Sequence, residues 1–394
     1  MATILFWTAF TCIVYVYAGY PLLLMLWRRV VRRPVDKRYQ EVSVSLVIVM
    51  HNERRNVQAK IQNCFELDYP ADKLQIIVSL DAPTDGTDAL LRQYTGQGVE
   101  VLSSPVRRGK AEALNSGLAA ARGEIVMFGD AGQRLEKSAV RELVANFADA
   151  SVGAVSGALV LLDRDAQEAA DGAGLYWRYE KKLRAMESDI HSVPGATGAI
   201  YAIRRRLFVP LPPGTILDDV VVTMRIVLEG KRAILDPAAR AYGVATQSPD
   251  IEYEKKKRTL TGNYQLFAEM PELFVPWRNP IFVQLVSHKA GRLIVPYCLA
   301  ALFISNLCLR GGLYRTGVLL QGTWYIMACA GWWASRGGES RLGKLMAIPY
   351  AFVLMNWAAV AGLYYFVRGR ALGIWNSAAV EGTEAEGTQE EWIG

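Results

Sequence analysis

The stretch VSVSLVIVMHNERRN (Val42–Asn56) decides how the rest of the chain is read. A run of β-branched and apolar residues stops abruptly at the polar HNERRN, the pattern of a buried strand leading through a loop into a helix. Three further runs repeat it: LQIIVSL (74–80) ends at Asp81, GVEVLSSP (98–105) is shorter, and EIVMFG (124–129) ends at Asp130. Between the last two lies GKAEALNSGLAAARG (109–123), with Ala and Leu at helical spacing and Gly123 placed to end the helix. Strands alternating with helices predict an α/β fold built on a parallel-rich sheet.

Outside this region the composition changes. Ile4–Trp27 carries no charge, which is enough length to cross a bilayer core, and the basic RRVVRRPVDKR (28–38) follows it. By the positive-inside rule that flank is cytoplasmic. Leu293–Leu309, Gly317–Ser335 and Leu345–Val367 are three more apolar stretches of about bilayer length. Their polar residues Asn306, Gln321 and Asn356 suit helix–helix contacts. The expected layout is therefore a membrane helix at 1–28, an α/β domain at 42–268, an interfacial segment at 269–292 rich in Trp277, Phe282, Lys289 and Arg292, about three membrane helices at 293–367, and a polar acidic tail at 368–394. Four spans put the tail outside, whereas Arg368 and Arg370 favour the cytoplasm, so the side of the tail stays open.

The net charge of +6 is mostly juxtamembrane, which fits attraction to anionic lipid and gives no reason to expect a nucleic-acid partner. The five cysteines and the histidines His51, His191 and His288 are scattered without metal-ligand or disulfide spacing. No glycine-rich phosphate loop follows the first strand, which argues against dinucleotide and P-loop enzymes. In an open α/β sheet, ligands bind beyond the carboxyl ends of the strands. Glu53, Asp81 and Asp130 all follow such ends, so three acids distant in sequence are expected to converge on one crevice. Further along, ILDDVVVTMR (216–225) sets Asp218 and Asp219 at the mouth of a helix, where one of them suffices as an N-cap and the other is left for chemistry.

Taken in order, these segments resemble the membrane-embedded family 2 glycosyltransferases, the group of cellulose, chitin and hyaluronan synthases. VSLVIVMHNERRNV is similar to the opening strand and its loop, IIVSLDAPTDGT to the nucleotide loop, RGKAEALNSGL to the helix after it, and MFGDAG to the D-x-D strand end. LDDVVVTMR is similar to the segment with the catalytic base, and KKKRTLTGNYQ (255–265) to the Q-x-x-R-W region. The resemblance implies a GT-A fold and an inverting transfer from a nucleotide sugar, UDP-linked by analogy, to a lipid or polysaccharide acceptor. Glu53 and Asp81 would meet the base and ribose, while Asp85 and Thr87 shape the turn between. Asp130 would hold Mg²⁺ or Mn²⁺, and Asp219 would be the general base beside Asp218. Arg225 and Arg258 would contact diphosphate or position Asp219, Gly195 and Gly198 would let backbone approach a ligand, and Gln265 would belong to the last motif. Lys110 would face phosphate, or else be a solvated lysine at a helix start.

Two departures qualify the resemblance. Gly132 replaces the second acid of D-x-D, and Gln133 beside it reads as a helix start. Thr259 replaces the aromatic residue of Q-x-x-R-W, which leaves Tyr264 as the nearest ring and weighs toward single-sugar addition over polymer synthesis. The expected setting is the bacterial inner membrane with the α/β domain cytoplasmic. A catalytically inactive assembly subunit is the alternative from another class.

Overall fold

The computed structural model describes residues 1–162, 173–245, 249–334 and 341–369; the acidic stretch at 381–394 lies outside them. Eight strands are described: β1 (Val44–Met50), β2 (Leu74–Asp81), β3 (Val99–Ser104), β4 (Ile125–Asp130), β5 (Arg134–Leu135), β6 (Val152–Leu162), β7 (Ile200–Arg204) and β8 (Arg232–Val244). They form one sheet in the order β3-β2-β1-β4-β7-β6-β8-β5. Strands β3, β2, β1 and β4 are mutually parallel, whereas β7 runs antiparallel to both β4 and β6. β1 is buried at every residue, as a central parallel strand covered on both faces must be.

The chain moves outward from β1 to β2 and β3, then returns to the other side of β1 as β4. Register pairs Met50 with Leu80 and Val49 with Asp130, so the loops after β1, β2 and β4 share one sheet edge at this reversal. That edge is the crevice expected of a doubly wound sheet.

The helices are α1 (Ala2–Val30), α2 (Val57–Phe65), α3 (Thr87–Leu91), α4 (Lys110–Ala120), α5 (Ala139–Ala145), α6 (Ala173–Ile190), α7 (Asp218–Leu228), α8 (Pro249–Glu269), α9 (Phe282–Leu307), α10 (Gly312–Ala334) and α11 (Arg341–Val367). Gly123 does not close α4, which ends at Ala120. A Cβ on Gly123 would lie 2.5 Å from the Ser45 nitrogen, so the glycine serves the close approach of this loop to β1. The residues after Asp130 also depart from expectation. Gln133 does not open a helix; it leads into β5, tied down by Lys60 Nζ donating to the Gln133 carbonyl at 2.8 Å and by Asn63 bonding both backbone groups of Leu135.

Among the described residues, three helices are long and apolar enough to cross a membrane: α1, α9 and Leu345–Val367 within α11. The fourth expected span falls in α10, which is 23 residues long but carries Arg315, Gln321 and Thr323. Its Gln321 donates to the Leu299 carbonyl of α9 at 3.0 Å, the helix–helix role expected of it.

The expected interfacial segment is partly helical. α9 begins inside it at Phe282, with a π-turn at Val286–Ala290. That turn aims His288 at α6, where it bonds Glu187 at 2.8 Å and Glu180 at 2.6 Å, and Arg292 pairs with Glu180 at 2.8 Å. Tyr20 of α1 donates to Glu187 at 2.6 Å. A buried polar cluster thus joins two candidate membrane helices to the α/β domain.

Candidate active site

The three strand-end acids reach the same edge in different states. Asp81 closes β2, and its carboxylate accepts the backbone N–H groups of Arg108 at 2.7 Å and Gly109 at 2.9 Å. It thereby ties the loop before α4 to the sheet, beside a cleft of about 110 Å³ lined by Ser79, Asp81, Ser104, Arg108 and Glu112. Glu53 is buried and accepts from Asn56 at 2.7 Å, while its own N–H donates to Thr87 Oγ1. Asp85 accepts from the N–H and hydroxyl of Thr87 and from the Arg54 N–H, the turn-shaping role expected of Asp85 and Thr87.

Asp130 stands at the tip of β4 and meets a cation. Lys110, the first residue of α4, places its Nζ 3.0 Å from Asp130 Oδ1 and 3.6 Å from Asp218 Oδ2. Burial pushes the Asp130 carboxyl up, but Lys110, then Lys60 and Arg258, outweigh it and hold the group below the usual carboxylate range. Burial likewise opposes the charge on Lys110, yet Asp130, Asp218 and Asp219 raise its pKa and keep it an ammonium. The alternative of a solvated helix-start lysine is thereby removed.

Asp218 and Asp219 open α7 without acting as its side-chain N-cap; the cap position is Leu217. Burial, then repulsion from Asp218, raises Asp219 to about 6, against the pull of Lys110 and Lys289. Asp219 and Asp130 both approach Gly198, in the turn that begins at Gly195. A Cβ on Gly198 would lie 3.3 Å from Asp219 Oδ2 and 4.0 Å from Asp130 Oδ2, so the missing side chain leaves space beside both carboxylates. Gly195 has φ of +140°, and a Cβ there would sit 2.9 Å from Val220 of α7.

Residues not singled out in the sequence build the frame. Arg184 of α6 donates to Thr197, Ser156 and the Gly195 carbonyl at 2.7–3.1 Å and so fixes the glycine turn. Lys60, fully covered, supports the loop behind Asp130. Only their positions in amphipathic helices are visible in the sequence; nothing local marks them as site residues.

The remaining expected positions divide. Gln265 clamps the approach to α7, accepting from the Ile216 N–H at 2.9 Å and donating to the Gly214 carbonyl at 3.1 Å. Arg258 reaches the same loop at the Ile216 carbonyl, 3.4 Å away, and faces Asp130 electrostatically. Arg225 points elsewhere: three residues before the end of α7, it donates to the carbonyls of Val209 and Pro210. Tyr264 turns toward the membrane helices, its ring stacked on Phe366 at 6.4 Å, so it does not replace the ring missing at Thr259.

Two carboxylates, Asp130 and Asp218, thus converge on a single cation position. Oxygen donors of this kind suit Mg²⁺ or Mn²⁺, which take one or two carboxylates with phosphate oxygens and water. Among the described residues, no group of three or more His, Cys, Asp or Glu side chains forms a ready metal cage.

The mixed sheet, with its acids at the reversal between β1 and β4, is that of a GT-A glycosyltransferase, and comparison with a solved structure agrees. The mannosyltransferase PcManGT from Pyrobaculum calidifontis, solved with GDP-Man and Mn²⁺, aligns over 93% of this chain and 99% of its own with a TM-score of 0.67 at 22% identity. Residues 45–209 match the family described as glycosyl transferase family 2. Asp218, Asp219 and Gln265 lie beyond the matched stretch. Among curated relatives, the probable glycosyltransferase YdaM of Bacillus subtilis is 27% identical over 266 residues, 61% of this chain and 60% of its own. The beta-monoglucosyldiacylglycerol synthase of Synechocystis sp. is 27% identical over 241 residues, 57% and 49% of the two chains. A poly-beta-1,6-N-acetyl-D-glucosamine synthase of Staphylococcus epidermidis is 29% identical over 126 residues, 31% and 30%. The chain spans about half to three fifths of the length of the first two relatives.

Proposed function

We propose that this chain transfers a sugar from a nucleotide-sugar donor, UDP-linked, to a membrane lipid or saccharide acceptor with inversion at the anomeric carbon. The observation that carries the reading is the space left by Gly198, which both Asp130 and Asp219 border. In this reading the donor diphosphate lies on the Asp130 side, with Lys110 and Arg258 as its cationic contacts. The nucleoside extends over Asp81 and Glu53 at the ends of β2 and β1. The acceptor hydroxyl enters from the opposite side, and Asp219 takes its proton as the oxygen attacks the anomeric carbon. A carboxylate whose pKa is raised is a stronger base than an ordinary one, and it catches the proton late in the transition state. A Mg²⁺ or Mn²⁺ ion held by Asp130 would offset charge on the leaving diphosphate as a Lewis acid. Asp218 balances Lys110, and Gln265 and Arg184 hold the elements that carry the base and the glycine turn.

In the same reading, residues 42–268 are the catalytic unit. The helix start at Phe282 seats it on the bilayer, and the domain faces the cytoplasm from the bacterial inner membrane. Thr259 is exposed on α8 and its hydroxyl donates to the Lys255 carbonyl at 2.9 Å, so the position offers no aromatic face to a growing chain. This favours addition of one sugar per acceptor. The test incubates the full chain in detergent with labelled UDP-sugars and a bacterial lipid extract. A single β-linked glycolipid is expected; a ladder of products would replace single addition with polymer synthesis. No transfer and no hydrolysis of any donor would leave the inactive assembly subunit.

A further inference from the structure

The Lys110 ammonium lies where a cation bridging Asp130 and Asp218 would lie, 3.0 Å and 3.6 Å from their oxygens. Gly132 removes the second strand-end acid, and no three-ligand cage exists among the described residues. The carboxylates available to a divalent ion are therefore already paired with a charge tethered to the chain. A divalent ion entering beside that ammonium would meet like charge where the Lys110 and Asp218 side chains are only 17% and 7% exposed. A diphosphate reverses both obstacles. Its oxygens complete the ligand set that one or two carboxylates leave open. Its charge offers Lys110 another anion, which the four-carbon lysine stem reaches by changing rotamer. The backbone under Lys110 need not move, because Asp81 anchors the N–H groups of Arg108 and Gly109 just before it.

We propose that Lys110 bars divalent cations from the donor-free site, so that the ion is admitted only together with the donor's diphosphate. This rests on the nucleotide-sugar reading given above. Lys110 is then a positioning residue that sets the order of assembly, in addition to contacting phosphate.

The test titrates Mn²⁺ into the full chain in detergent and reads bound ion by electron paramagnetic resonance, without nucleotide, with UDP and with GDP, against nucleotide-only blanks. For the wild-type chain, Mn²⁺ affinity is expected to rise at least tenfold when the nucleotide is present. Lys110→Met is expected to bind Mn²⁺ without nucleotide at least tenfold more tightly than wild type, and Lys110→Arg, which keeps the charge, to behave as wild type. Equal nucleotide-free affinities for wild type and Lys110→Met overturn the proposal. So does a wild-type chain that binds UDP or GDP in chelator yet takes up no Mn²⁺ with it. If neither nucleotide binds under any condition, the donor reading itself falls and this inference with it. The comparison of wild type with and without nucleotide stands whether or not the variants fold.

Discussion

Asp219 differs from an ordinary surface carboxylate through its surroundings. Asp218 on the same helix, Lys110 from α4, Arg184 from α6, Tyr201 from β7 and Lys289 from α9 all act on it or are acted on by it. Burial and Asp218 dominate and raise its pKa to about 6. Since only the ionised form accepts a proton, kcat/KM is expected to climb with pH through about 6, where an unperturbed aspartate would place the limb near 4. A limb near 4 would remove the raised base. The stability consequence runs the other way. A carboxylate whose folded pKa is raised contributes stability below its unfolded pKa and loses it as pH rises through the folded value. The burial of Asp219 therefore costs stability above about pH 6, as groups kept for chemistry do. The sequence points to Asp81, Asp130 and Asp219 because each sits at the end of a strand or the start of a helix, where local pattern is strong. It does not point to Lys110 bridging Asp130 and Asp218, because that contact joins residues 20 and 108 positions apart and depends on how α4 and α7 meet.

At the scale of elements, the order of strands β1 to β4 is legible from period and punctuation, and their acids do share one edge. The join between membrane and domain is not. His288 reads as an isolated histidine in a basic interfacial stretch, yet it contacts Glu187 101 residues earlier in the chain. Only the packing of α9 against α6 reveals it. Glu187 is fully buried and accepts from both Tyr20 and His288, so removing it leaves two polar partners unsatisfied. Glu187→Ala is expected to destabilise the protein by about 3–5 kcal/mol. The midpoint of unfolding in mild detergent measures this, and an unchanged midpoint would mean the cluster holds nothing together. At Gly123, a glycine just past a helix reads as a cap, but what it serves is the close approach of the β1 backbone.

The whole molecule is an α/β domain fastened to apolar helices at both ends of its sequence. Arg28, at the end of α1, pairs with Asp189 of α6 at 2.6 Å, so the basic flank of the first helix lies against the domain. We propose, on the positive-inside rule, that this side faces the cytoplasm. In a background with Cys308 and Cys329 changed to Ser, a Gln97→Cys probe at the exposed end of the 3₁₀ turn Arg92–Gln97 before β3 is expected to label in inverted membrane vesicles and stay protected in intact spheroplasts. The opposite pattern would reverse the orientation. Asp219→Asn keeps the shape of the side chain and removes its basicity, and so isolates the acceptance of the proton in sugar transfer. The rate of transfer is predicted to fall by about 10²–10⁴ while nucleotide affinity stays at the wild-type value; transfer at the wild-type rate would contradict the account.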